Sequence, residues 1–291
     1  MSNTNINFPT TFPKQHQNQK PGKEYKMNPR PIFEHEAFNG VGKSLDGKVA
    51  IITGGDSGIG RTVAIAYANE GADVVIIYLN EIEDAEETKN IIEDRGKKCL
   101  LIEGDISCEQ FCYTAVKKVI EAFKKIDILI NNTGYQCEQQ GILDISNEQL
   151  EKTFKTNIFS MFYMTKAVLP HLREGSSIIN TASITAYEGH ETLIDYSSSK
   201  GAVVSFTRSL STSLAKQKIR VNAVAPGPIW TPLIVDTFDE NKVETFGQNT
   251  PMGRAGQPVE LAGAYVFLAS NNASYITGQV IHVNGGKIVN G

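Results

Sequence analysis

Cysteine and histidine are scarce in this chain and are not clustered. The four cysteines, Cys99, Cys108, Cys112 and Cys137, include no CxxC pair, and the five histidines are spread as widely. That spacing argues against a metal centre and a disulfide framework, so reduced, mostly structural thiols in a cytoplasmic protein are expected. Basic blocks are also missing. Lys and Arg number 28 against 32 Asp and Glu, a formal charge of −4, which is not the footprint of a nucleic-acid binder. No apolar run approaches the roughly 20 residues of a membrane-spanning helix. The polar N-terminus lacks the apolar stretch of a signal peptide. With 291 residues, 41% of them hydrophobic, the chain is long enough to bury a full core.

Residues 1–44 are set apart by composition. They carry Pro9, Pro13, Pro21, Pro29 and Pro31, many Asn and Gln, and few aliphatic residues. They read as an arm without a helix or strand of its own, set before a folded domain over residues 45–291. Two states of the arm remain open. One is disorder; the other is an ordered arm across a neighbouring subunit, anchored by Phe8, Phe12, Tyr25 and Phe33.

From Lys48 onward, short Val/Ile/Leu runs alternate with helical patterns. Strands are expected at 49–52, 74–77, 100–102, 128–130, 177–181, 221–224 and 280–283. Helices are expected over 61–70, 82–95, 109–124, 147–172, 195–216 and 258–270. Near-continuous apolar strands are buried on both faces. Strict β-α alternation gives a doubly wound parallel α/β sheet with helices on both faces.

The first strand runs into Thr53-Gly54-Gly55-Asp56-Ser57-Gly58-Ile59-Gly60 and then a helix. Glycines at 54, 58 and 60 permit a tight turn and close approach to a pyrophosphate. The helix N-terminus offers free N–H groups and a positive dipole end to the anion. No Gly-Lys-Ser/Thr ending follows, which excludes an NTPase loop. A dinucleotide is the expected ligand.

A second constellation is chemical. Tyr196 and Lys200 are one helical turn apart and share a face of their helix. Ser183 follows the strand at 177–181, and ligands of open α/β sheets bind at that edge. A phenol with a free pKa of about 10 needs help to act as a base. A neighbouring ammonium favours the phenolate. With a serine hydroxyl to hold a substrate oxygen, the set forms a proton-transfer site for an alcohol or carbonyl.

Taken together these motifs resemble the short-chain dehydrogenase/reductase family, in order and at family spacing over residues 47–286. The glycine loop matches at 53–60, an N-N-A-G motif at Asn131-Asn132-Thr133-Gly134, a helix Asn at Asn157, and Y-x-x-x-K at Tyr196 and Lys200. Ser183 and Pro226-Gly227 complete the match. The Pro-rich arm looks like that of a bacterial subgroup labelled glucose/ribitol dehydrogenases or general stress proteins.

The resemblance implies a single-domain Rossmann fold of about seven strands and a nicotinamide cofactor. It implies Tyr196 as general acid/base, with Lys200 favouring its phenolate and bonding the nicotinamide ribose. Ser183 would hold the substrate oxygen, and Asn157 a water joining Lys200 to solvent. Gly54, Asp56, Ser57, Gly58, Ile59, Gly60, Tyr78, Leu79, Asp105, Ile106, Asn132, Thr133, Gly134, Pro226, Gly227 and Ile229 would line the cofactor. Thr133 departs from the family's Ala. A homotetramer is implied, with the Asn157 and Tyr196 helices at one interface and residues 278–291 near another.

NAD is favoured over NADP. Tyr78 stands where NAD enzymes usually have Asp, and neither Leu79 nor Ser57 supplies the cation of an NADP enzyme. The neighbourhood is acidic, with Asp56, Glu81, Glu83 and Asp84; the plain alternative is a solvated helix start. The loop 228–253 should form a substrate lid with Trp230, Leu233, Ile234, Phe238 and Phe246. Tyr135, Gln136, Ile184, Tyr187 and His190 are candidates for the pocket wall. The leading activity is NAD(P)-dependent interconversion of an alcohol and a carbonyl. A nucleotide-sensing protein without turnover is the alternative. A sugar-nucleotide epimerase is disfavoured, because its larger C-terminal domain is lacking.

Overall fold

A computed structural model describes residues 8–38 and 43–287. Strands and helices alternate as the apolar pattern expects. The first half runs β1 (Val49–Thr53), α1 (Gly58–Asn69), β2 (Asp73–Tyr78), α2 (Ile82–Glu93), β3 (Cys99–Glu103), α3 (Glu109–Phe123), β4 (Ile128–Asn131), α4 (Asn147–Phe154) and α5 (Ser160–Val168). The second half runs β5 (Ser177–Thr181), α6 (Thr185–Glu188), α7 (Ile194–Leu214), β6 (Arg220–Pro226), α8 (Pro232–Thr237), α9 (Glu240–Glu244), α10 (Val259–Ala269) and β7 (Val280–Val283).

The seven strands form one parallel sheet in the order β3-β2-β1-β4-β5-β6-β7. Alternation within β1 shows why both faces are covered. Ala50 and Ile52 join a core with Val63 and Tyr67 of α1 and Leu261 and Tyr265 of α10. Val49 and Ile51 join a second core with Cys112 and Val116 of α3 and Met164 of α5. Ile51 and Ile52 are both fully buried, each stabilising by about 1.5–3 kcal/mol relative to exposure. The chain reverses its winding direction between β1 and β4, which opens a crevice at the strands' carboxyl ends.

Three expectations need correction. The helix expected over 147–172 is interrupted: Lys155–Phe159 is a π-helical turn and Leu169–His171 a 3-10 turn. An extra residue in one turn leaves the apolar pattern nearly continuous, so periodicity does not reveal it. The lid region 228–253 is not a plain loop but contains α8 and α9.

The arm is the third correction. It has two 3-10 turns, Glu24–Lys26 and Glu36–Phe38, and it packs against its own chain. Phe12 stacks on Trp230 with ring centroids 3.8 Å apart. The Arg254 guanidinium lies over Phe8 at 4.5 Å, and that of Arg61 over Phe33 at 5.2 Å. Tyr25, by contrast, is exposed. Expectations for residues 1–7, 39–42 and 288–291 lie outside the described residues.

Candidate active site

The carboxyl ends of β1, β4, β5 and β6 open into one cavity of about 1000 Å³. Every expected site residue lines it except Asn157 and Gly60. The glycine loop forms one wall. Gly58 has φ +52°, a conformation that L side chains rarely adopt. Gly60 does not face the cavity; a Cβ there would stand 1.8 Å from the Gly54 carbonyl oxygen. Its small size lets α1 pack against the loop. Asn132, at the end of β4, ties the crevice together. Its Nδ2 donates to the carbonyls of Thr53 (3.2 Å) and Gly54 (3.1 Å), and its Oδ1 accepts from Thr181 Oγ1 (3.2 Å). Thr133, the departure from the family pattern, fits beside the loop: a Cβ on Gly54 would meet its Oγ1 at 3.2 Å.

Ser183, Tyr196 and Lys200 converge on the same cavity, and all three are buried. Ser183 Oγ accepts from Thr185 N (3.1 Å) and Thr185 Oγ1 (3.0 Å), which leaves its own proton to donate. Lys200 Nζ donates to the Thr181 carbonyl at 2.8 Å and lies 5.6 Å from the Tyr196 ring centroid. Burial lowers the Lys200 ammonium to about 8. Burial pushes the Tyr196 phenol up to about 12, opposed only partly by a hydrogen bond with Ser183. In the protein alone, burial therefore dominates the phenol's shift.

Asn157 lies in the π-helical turn, fully buried and away from the cavity. Its Oδ1 accepts from Tyr135 N (2.7 Å), and its Nδ2 donates to the Tyr135 carbonyl (2.8 Å) and Ser199 Oγ (3.0 Å). It clamps the backbone that carries Tyr135 and Gln136 into the wall. The bond to Ser199 Oγ ties it to the residue next to Lys200 on α7. Asp195 performs a similar join, accepting from Thr153 Oγ1 (2.7 Å) and from Tyr196 N (2.8 Å).

Leu233, Ile234, Phe238 and Phe246 line the cavity, but Trp230 does not; it is fully buried beneath Phe12. Tyr135, Gln136, Ile184 and His190 line it, whereas Tyr187 turns away and packs on His282 at 4.5 Å. Loop residues have no periodicity from which such orientations could be read.

The acidic start of α2 is not simply a solvated surface. Glu81 and Asp84 are buried, and Glu83 alone is exposed. Asp56 and Glu81 line the cavity. Burial and the Glu81 charge push the Asp56 carboxyl up to about 7. Asp84 instead faces the arm, accepting from Glu24 N (2.9 Å) and Tyr25 N (3.2 Å).

The sequence carries no signal for the arm's part in the cavity. Lys20, Pro21 and Gly22 line it. Lys20 Nζ bridges the Gln136 carbonyl (3.0 Å) and Asp236 Oδ1 (3.3 Å). Partners more than 100 residues apart leave no local pattern. Among the described residues, no group of three or more His, Cys, Asp or Glu is placed to hold a metal. No helix among them is long and apolar enough to cross a membrane.

Comparison with known proteins agrees with this geometry. Residues 54–287 match the sequence family described as "Enoyl-(Acyl carrier protein) reductase". The chain belongs to the short-chain dehydrogenase/reductase family. General stress protein 39 of Bacillus subtilis is 57% identical over 97% of this chain and 99% of its own. NADPH-dependent aldehyde reductase 1, chloroplastic, of Arabidopsis thaliana is 49% identical over 95% and 98%. A solved 3-ketoacyl-(acyl-carrier-protein) reductase from Brucella melitensis, complexed with NADH, superposes with a TM-score of 0.77. It is 35% identical, over 84% of this chain and 100% of that one. Members of this family are oxidoreductases that use nicotinamide dinucleotides, and this chain keeps the family's fold and, Thr133 excepted, its motif residues.

Proposed function

We propose that the protein interconverts a small-molecule alcohol and its carbonyl. The convergence of Ser183, Tyr196 and Lys200 at the end of a glycine-loop cavity carries this reading. Gly54, Ser57, Gly58 and Ile59 would hold a pyrophosphate, and Asn132, Thr133, Gly134, Pro226, Gly227 and Ile229 the nicotinamide half. Tyr78, Leu79, Asp105 and Ile106 would meet the adenosine half. The cavity supports the fit: these residues form one continuous lining, and the loop glycines put no side chain between the backbone and a phosphate. A nicotinamide dinucleotide, when bound, supplies or accepts the hydride.

The chain's own residues handle orientation and the proton. Ser183 donates its free proton to the substrate oxygen. Tyr196 gives a proton to that oxygen in reduction and takes it in oxidation. Lys200 is held by Thr181 one helical turn from Tyr196. There its charge favours the phenolate and its remaining donors are free for a ribose. Asn157 keeps the Tyr135–Gln136 wall in place.

NAD is the preferred dinucleotide in this reading. The Glu81 carboxylate lines the cavity just past the end of β2, where a 2′-phosphate would meet like charge. The Arabidopsis relative is named for NADPH, so the preference belongs to this residue and not to the family. A homotetramer is supported by Phe159 and Phe162, which one chain leaves exposed beside α5. Four free cysteines support a reducing, cytoplasmic setting.

The test is turnover of NADH and of NADPH against aldehydes, ketones, sugars and polyol-derived carbonyls. Oxidation of NADH faster than NADPH by a panel member is the expected result. Tight dinucleotide binding with no turnover across the panel would favour the sensor reading instead.

A further inference from the structure

The arm contributes a fully buried carboxylate to the back of the dinucleotide loop. Glu24 Oε2 accepts from Gly58 N at 2.6 Å, and Glu24 Oε1 accepts from Arg61 Nη1 at 2.7 Å. Both side chains are completely inaccessible to solvent. Arg61 carries the constraint onward, its Nε donating to the Asp56 carbonyl at 2.9 Å. Thr88 Oγ1 donates to the same carbonyl at 2.8 Å. The loop is therefore gripped at Asp56 and Gly58, on either side of Ser57. Asp56, Ser57, Gly58 and Ile59 form the cavity wall, while Glu24, Arg61 and Thr88 stand behind it.

The grip is specific to the arm. Glu24 precedes residue 54, where the family match begins. The arm's approach to the loop is fixed on both sides. Asp84 accepts from the backbone N–H of Glu24 and of Tyr25. Gly22 N donates to Asp236 Oδ2 of the lid at 2.9 Å, and a Cβ on Gly22 would stand 2.6 Å from the Pro232 carbonyl oxygen. Residues 20–24 thus span from the lid to the glycine loop.

We propose that Glu24 is a positioning residue for dinucleotide binding: from outside the family domain, it holds the glycine loop in its binding conformation. The proposal rests on the reading of the cavity as a dinucleotide site. A charged acceptor bonded to both Gly58 N and Arg61 is a strong, directional restraint. Its amide counterpart keeps the size and one acceptor but turns an N–H group toward the guanidinium.

The experiment compares full-length wild type, Glu24→Gln, Glu24→Ala and Phe12→Leu. Phe12→Leu perturbs arm packing on Trp230, away from the loop. Affinity for NADH and NADPH is measured by fluorescence titration, melting temperature by calorimetry, and kcat against KM for the dinucleotide with the best carbonyl substrate. The expected result is a rise of about tenfold or more in Kd and KM for dinucleotide in both Glu24 variants, equivalent to about 1.4 kcal/mol, with kcat at saturation within about twofold. Phe12→Leu should melt lower with Kd unchanged. Glu24 variants that melt lower but bind within about twofold of wild type would overturn the proposal. Failure of both to fold would also overturn it, assigning Glu24 to the fold alone. A wild type that binds neither dinucleotide would instead refute the functional reading on which the proposal rests.

Discussion

Replacing Asp56 by Asn should make the protein more stable at alkaline pH and leave it nearly unchanged at acid pH. Asp56 is 5% exposed, and burial together with the Glu81 charge moves its carboxyl from an ordinary 3.8 to about 7. The folded protein therefore holds this proton up to about pH 7, while the unfolded chain releases it near pH 4. A pKa raised on folding contributes full stability below the unfolded value, and that stability is lost as pH rises through the folded value. The loss thus develops between about pH 4 and pH 7. A displacement of about three pH units corresponds to about 4 kcal/mol at most. Water reaching a residue on the cavity wall should reduce the realised figure to about 1–2 kcal/mol. Asn keeps the size and cannot ionise. Calorimetric melting of wild type and Asp56→Asn at pH 5 and pH 8 measures the difference, and 1 kcal/mol should appear as about 2–4 °C. The variant should gain several degrees over wild type at pH 8 and little at pH 5. An equal change at both values would refute the buried-carboxyl reasoning.

Other perturbations test other parts of the structure. Gly60→Ala would place a Cβ 1.8 Å from the Gly54 carbonyl and 2.8 Å from Asn132 Nδ2. It should abolish measurable dinucleotide binding in a titration and cost more than about 2 kcal/mol in urea denaturation. Phe12→Ala removes a ring that is 3% exposed and stacked on Trp230. It should cost about 3–4 kcal/mol in the same denaturation. With its phenol pushed up to about 12, Tyr196 should contribute no phenolate absorbance below pH 10 in the protein alone, judged by difference against Tyr196→Phe. A phenolate band already developed by pH 9 would mean that Lys200 outweighs burial.

Elements buried on two sides were legible in the sequence because their apolar runs have few alternatives. The strands at Ser177–Thr181 and Val49–Thr53 stand where the pattern places them, and the glycine loop leads into α1 as its spacing implies. Ser183, Tyr196 and Lys200 could be brought together on paper because one follows a strand end and two share a helix face. Asn157 could not be placed so well. The π-helical turn rotates it toward Tyr135, and nothing in its neighbours' polarity marks the extra residue. The arm was the least legible part. Its deepest contacts are ionic, between Glu24 and Arg61, and charged residues ordinarily read as surface. Only the fold brings these two together, 37 positions apart in the chain.

The most direct test of the central claim is carbonyl-dependent oxidation of NADH by wild type and by Tyr196→Phe, with dinucleotide affinity measured in both. Removing one hydroxyl should leave NADH affinity within about twofold and lower kcat by about a hundredfold to ten-thousandfold, the usual worth of general acid catalysis. Turnover by Tyr196→Phe equal to that of wild type would contradict the assignment of Tyr196 as the proton-transfer group.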